Sequence, residues 1–140
     1  MAKSGPIVVV EDDEDDVLFL SDTLKQLAVP NKLIWFPNAA DALGYLLNTQ
    51  DRPFFILCDV NLPLRNGLEF KRDVDNDPLL RKKSIPFIFY STSVDQRFVD
   101  TAYSEMSVQG FFQKGYDFKE IAATIKIIMD YWELSKHPNI

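Results

Sequence analysis

The chain of 140 residues is poor in cysteine, poor in histidine and short of positive charge. Its single cysteine, Cys58, excludes an internal disulfide. No apolar run approaches the roughly 18 residues a membrane-spanning helix needs. Lys and Arg number 15 against 21 Asp and Glu, a formal net charge of -6, so no global attraction to nucleic acid or to an anionic membrane surface is expected. The start, Met1 to Pro6, carries a lysine, but the apolar run behind it is only Ile7 to Val10 before acids begin, which is no signal peptide. Repeats and low-complexity linkers are absent. The expected location is cytoplasmic.

What is present is ordinary for a soluble globular protein: 46% hydrophobic and 26% charged residues. The length suits one domain with a real core. Ile7-Val8-Val9-Val10 is short, β-branched and continuous, as a strand buried on both faces of a parallel sheet would be. From Asp15, the residues Val17, Leu20, Leu24 and Leu27 recur at helical spacing, with Asp15 and Asp16 at the positive end of the helix dipole. Asn31 to Phe36 reads as extended, and Asn38 can cap a helix carrying Ala39, Ala42, Leu43, Leu46 and Leu47. Phe54 to Cys58 is a third strand, closed by Asp59 and a turn-rich stretch from Asn61 to Gly67, with a short helix from about Leu68. Ile85 to Tyr90 and Gly110 to Gln113 are the fourth and fifth strands; Phe98, Ala102 and Met106 mark a helix between them, and Phe118 to Trp132 a long final one.

Five strand-helix units imply an α/β fold, a doubly wound parallel sheet whose right-handed crossovers place helices on both faces. Sites in such sheets gather at the carboxyl ends of the strands. Those ends carry Glu11, Asp12 and Asp13 after the first strand, Asp59 after the third, Ser91 and Thr92 after the fourth and Lys114 after the fifth. With strand order 2-1-3-4-5, Glu11 and Asp12 approach Asp59.

Carboxylates crowded together raise one another's pKa unless a cation neutralises them, and a hard, oxygen-rich site suits Mg2+. Mg2+ also retains positions for a phosphate oxygen. An aspartate can act as nucleophile toward phosphorus when the equatorial oxygens are stabilised. Asp59 suits that role, Lys114 offers a compact cation, and the Ser91 hydroxyl and Thr92 amide offer donors.

The stretches Ile7 to Asp13, Cys58-Asp59-Val60-Asn61-Leu62-Pro63, Gly67, Tyr90-Ser91-Thr92 and Lys114 together resemble the response-regulator receiver family of two-component signalling, over nearly the whole chain. The resemblance implies a flavodoxin-like (βα)5 fold and a single receiver domain over residues 1–140, with a core from about 6 to 134. No output domain is expected, since the final helix is taken to run nearly to Ile140. It further implies that Asp59 is the phosphoacceptor. Asp12, Asp59 and the Asn61 backbone carbonyl would ligate Mg2+, and Glu11 would contact metal-bound water. Ser91 would be the switching hydroxyl and Lys114 the phosphate-binding cation. The donor would be a histidine kinase or histidine phosphotransfer protein. Movement of Ser91 with repacking of Phe111 would alter the surface of the Phe98 helix, the fifth strand and the final helix. Asn61 and Ser93 would influence hydrolysis of the acyl phosphate, the only reaction of the chain's own.

Two residues depart from the family pattern. Many receivers have proline after the lysine, often with a cis bond; Gly115 stands here, and a trans bond is expected because a cis bond would cost about 2.5–4 kcal/mol. Phe111 stands where many receivers have a tyrosine, and it cannot hydrogen-bond as tyrosine does.

Plainer readings exist for each feature. The acidic run Glu11 to Asp16 alone would be a solvated helix start. Cys58 is assigned to packing and His137 to a frayed end without a role. Ile127, Tyr131 and Leu134 form a second apolar set on the final helix, which suits a partner or a second copy. The competing functions are a receiver-like interaction module that is never phosphorylated and, from another class, an aspartate-nucleophile phosphatase. The latter places a second aspartate two residues after the first, where this chain has Asn61.

Overall fold

The structure, a computed structural model, describes residues 2–92 and 95–139. Five parallel strands, β1 (Ile7–Val10), β2 (Leu33–Phe36), β3 (Phe55–Cys58), β4 (Phe87–Ser91) and β5 (Gly110–Gln113), form one sheet in the order β2-β1-β3-β4-β5. Six α-helices connect and cover them: α1 (Glu14–Gln26), α2 (Ala39–Asn48), α3 (Gly67–Asn76), α4 (Pro78–Lys83), α5 (Gln96–Glu105) and α6 (Phe118–Leu134). No described helix is long and apolar enough to cross a membrane.

The alternation of side chains along each strand divides the core in two. Val8, Val10, Ile56, Cys58, Phe87 and Phe89 face α2, α3, α4 and α5, whereas Ile7, Val9, Phe55, Leu57, Ile88 and Tyr90 face α1 and α6. Both sides of β1, β3 and β4 are buried, which is why these strands are continuous apolar runs.

Three expectations need correction. Among the described residues there are six α-helices, not five: after α3, Asp77 accepts from the Leu79 and Leu80 amides and starts α4, with Pro78 at a position where its missing N–H costs nothing. The final helix ends at Leu134, not near Ile140. The segment beyond it is not frayed, because His137 Nε2 lies 2.6 Å from the Phe54 carbonyl and its ring packs against Phe54 and Trp132.

Candidate functional site

Strand register brings the site residues together. Val10 pairs with Cys58, so Glu11 and Asp59 leave adjacent strands side by side, and the Asp59 amide donates to the Val10 carbonyl. Ser91 pairs with Gln113, so Lys114 follows beside Ser91, and its amide donates to the Ser91 carbonyl.

The loop after β3 is held close to Asp59. A Cβ at Gly67 would lie 2.2 Å from the Asp59 carbonyl oxygen, so only glycine allows α3 to start there. The Gly67 amide donates to the Val60 carbonyl, and a capping box between Asn66 and Glu69 secures the first turn.

Asp59 is buried at 6% exposure. Its Oδ1 accepts from Ser91 Oγ at 2.6 Å and from the Asn61 amide at 3.0 Å, and its Oδ2 accepts from Lys114 Nζ at 2.8 Å. Lys114, itself buried, also donates to Glu11 Oε1 and, at 2.8 Å, to Asp16 Oδ2. Glu11 is held from two further directions: its Oε2 accepts from the Asp13 amide, and its backbone carbonyl accepts from Trp35 Nε1 on β2 at 2.6 Å.

The charges settle accordingly. Burial pushes the Glu11 carboxyl up to about 8, against the opposing pull of Lys114 and with the nearby Asp59 charge adding to the rise. Burial also works to raise Asp59, but hydrogen bonds from Lys114, Ser91 and the Asn61 amide outweigh it and hold the carboxyl below its usual range. Burial opposes the Lys114 charge, yet its bonds to Asp16, Asp59 and Glu11 hold its pKa above the usual value. The cleft therefore contains an ammonium ion and an ionised Asp59. The Cys58 thiol is pushed well up by burial and stays neutral, in keeping with packing.

Carboxylate oxygens of Glu11, Asp12 and Asp59 lie within 4.8 Å of one another. Three hard oxygen donors, one of them on the exposed Asp12, fit Mg2+ or Mn2+ and not a softer metal. Asp13, the next acid, is instead the cap of α1, accepting from the Asp15 and Asp16 amides.

Of the other residues singled out, Asn61 and Thr92 are exposed at the cleft's edge, and Ser93 lies outside the described residues. Phe111 is half-buried, its ring 5.4 Å from that of Phe89. No cis peptide bond occurs among the described residues, so Lys114-Gly115 is trans as expected.

Two contacts escaped the sequence reading. Asp16, which the sequence places only at the positive end of the α1 dipole, reaches Lys114 across 98 positions of sequence. Trp35 gave no signal at all, since a tryptophan in a strand reads as packing.

The family model for the response regulator receiver domain matches residues 7–126. Response regulator Rcp1 from Synechocystis sp. (strain ATCC 27184 / PCC 6803 / Kazusa) is 27% identical over 131 residues, covering 90% of this chain and 87% of that protein. Among solved structures, the phosphorylated cyanobacterial phytochrome response regulator RcpA superposes with a TM-score of 0.85 at 26% identity, covering 96% of this chain and 98% of the other. The Mn2+-bound form of response regulator Rcp1 gives 0.81 at 27%, covering 94% and 97%.

Proposed function

Since the chain belongs to the response regulator receiver domain family, we propose that Asp59 accepts a phosphoryl group from a phosphohistidine donor and that the acyl phosphate changes the surface formed by α5, β5 and α6. The family's general partner is a histidine kinase or phosphotransfer protein. The observation that carries the reading is the convergence on one buried carboxylate of the Ser91 hydroxyl at 2.6 Å and the Lys114 ammonium at 2.8 Å.

In the transfer, an Asp59 oxygen forms a bond to phosphorus as the bond to the donor imidazole breaks, and that imidazole keeps the electron pair. The donors already in place have somewhere to go: Lys114 and Ser91 shift their hydrogens from carboxylate to phosphoryl oxygens, beside the Thr92 amide. Asp12, Asp59 and the Asn61 carbonyl would hold Mg2+, with Glu11 beside it. The ion, when bound, supplies neutralisation of phosphoryl charge.

Drawing Ser91 toward a phosphoryl oxygen moves the end of β4. Phe111 neighbours β4 through Phe89, so repacking of its ring carries the change to β5 and the helices flanking it. Water admitted past the exposed Asn61 resets the switch by hydrolysis. On α6, Ile127, Tyr131 and Leu134 are 61%, 54% and 91% exposed, a face suited to a downstream protein or a second copy; light scattering with and without phosphorylation tests the second copy.

The test of the acceptor is incubation with Mg2+ and acetyl phosphate, read by intact mass. Wild type should gain one phosphoryl group and Asp59→Ala none. An unmodified wild type would sink the reading.

A further inference from the structure

An ammonium group has three N–H donors, and Lys114 uses them on Glu11, Asp16 and Asp59. These acids have different obligations. Asp59 is the proposed acceptor, and an acylated oxygen is a poorer hydrogen-bond acceptor than a carboxylate. Glu11 belongs with Asp12 and Asp59 to the oxygen cluster able to hold a cation. Asp16 lies outside that cluster. Its backbone belongs to the first turn of α1, where its amide donates to the capping Asp13, and the following Val17 and Leu20 are buried in the core.

We infer that Asp16 is a positioning residue for Lys114: it anchors the ammonium from α1, outside the cation's donor set, while Glu11 and Asp59 turn to the metal and the phosphoryl group. Lys114 needs such an anchor, because its charge sits at the end of a flexible four-carbon stem. Without Asp16 the ammonium has only Glu11 and Asp59 to bond, two of the oxygen sources the cation needs, and it competes with the metal. The inference rests on the receiver reading.

Asp16 can be replaced with Lys114 still paired: the Asp16 side chain is 39% exposed, and the buried ammonium keeps Glu11 and Asp59 as partners. The site also contains its own reporter. Trp35, bonded to the Glu11 carbonyl, lies against the acidic loop, whereas Trp132 is buried on the α6 side of the core.

Mg2+ titrations followed by tryptophan fluorescence would compare wild type, Asp16→Asn, Asp16→Glu and Asp15→Asn. The last removes an equal charge one position away on an exposed side chain. Asp16→Asn should weaken Mg2+ binding about fivefold, as the ammonium then competes with the ion for Glu11 and Asp59, and slow phosphoryl uptake from acetyl phosphate. Asp16→Glu should recover most of the affinity, and Asp15→Asn should titrate near wild type. The assignment is overturned if Asp16→Asn titrates like wild type, or if Asp15→Asn loses as much, which would reduce the effect to net charge. A wild type that neither responds to Mg2+ nor takes up phosphoryl would overturn this inference and the receiver reading together. A responsive wild type with an unaffected Asp16→Asn overturns the positioning role alone.

Discussion

Ser91 Oγ donates to Asp59 Oδ1 across 2.6 Å, tying the end of β4 to the end of β3 through two buried side chains. The hydroxyl that would bind a phosphoryl oxygen is thus already directed at the acceptor, so the switch needs a shift of that hydrogen bond and not a new approach from solvent.

Ser91→Ala should lower folding stability by about 1.5 kcal/mol, because a buried carboxylate oxygen loses a charge-assisted bond while keeping the Asn61 amide. Urea denaturation measures this. The variant should still take up a phosphoryl group, more slowly, but the amide shift changes in β5 and α5 that accompany phosphorylation of the wild type should be absent. Wild-type shift changes in the phosphorylated variant would remove Ser91 from the switch.

The raised Glu11 carboxyl gives a pH dependence of definite sign. Folded, Glu11 keeps its proton up to about pH 8; unfolded, it loses it near its ordinary value of 4.5. Between those values the folded state binds the extra proton, so this contribution to stability is complete below the lower value and is lost as pH rises through the upper one. Denaturation of chelator-treated protein at pH 5.5 and pH 8 should show stability falling with pH, and Glu11→Gln should flatten the slope. A slope unchanged by that substitution would mean that Glu11 is ionised throughout.

Gly115 is fixed by what lies beside it. A Cβ there would sit 2.6 Å from Glu120 Cβ and 3.0 Å from the Ile121 amide nitrogen, in the first turn of α6. Gly115→Ala should therefore cost about 1–3 kcal/mol as α6 shifts, and Gly115→Pro more, since its ring adds bulk against the same atoms and fixes the backbone φ. Thermal denaturation reads both, and an unaltered midpoint for the alanine variant would refute the close packing.

The features legible in the chain were local ones. Ile7 to Val10 and Phe55 to Cys58 announce themselves as doubly buried strands by composition, and Asn38 announces a helix by its capping chemistry. Because parallel strands present their carboxyl ends at one edge, Glu11, Asp12, Asp59, Ser91 and Lys114 could be assigned to a common site before any coordinates. The Asp77-Pro78 pair that opens α4 is equally local capping chemistry.

Sequence alone thus determined the strands and the kinds of group at the sheet's edge, since backbone periodicity and strand polarity are written in neighbouring residues, while the order of the strands was implied by the family resemblance and is fixed by the pairing in the sheet. Only the tertiary structure decided which acid holds which donor. That Lys114 reaches Asp16 98 positions away, that Trp35 pins Glu11, and that His137 folds back onto Phe54 depend on helix placement and side-chain reach. No pattern within a few residues encodes those distances.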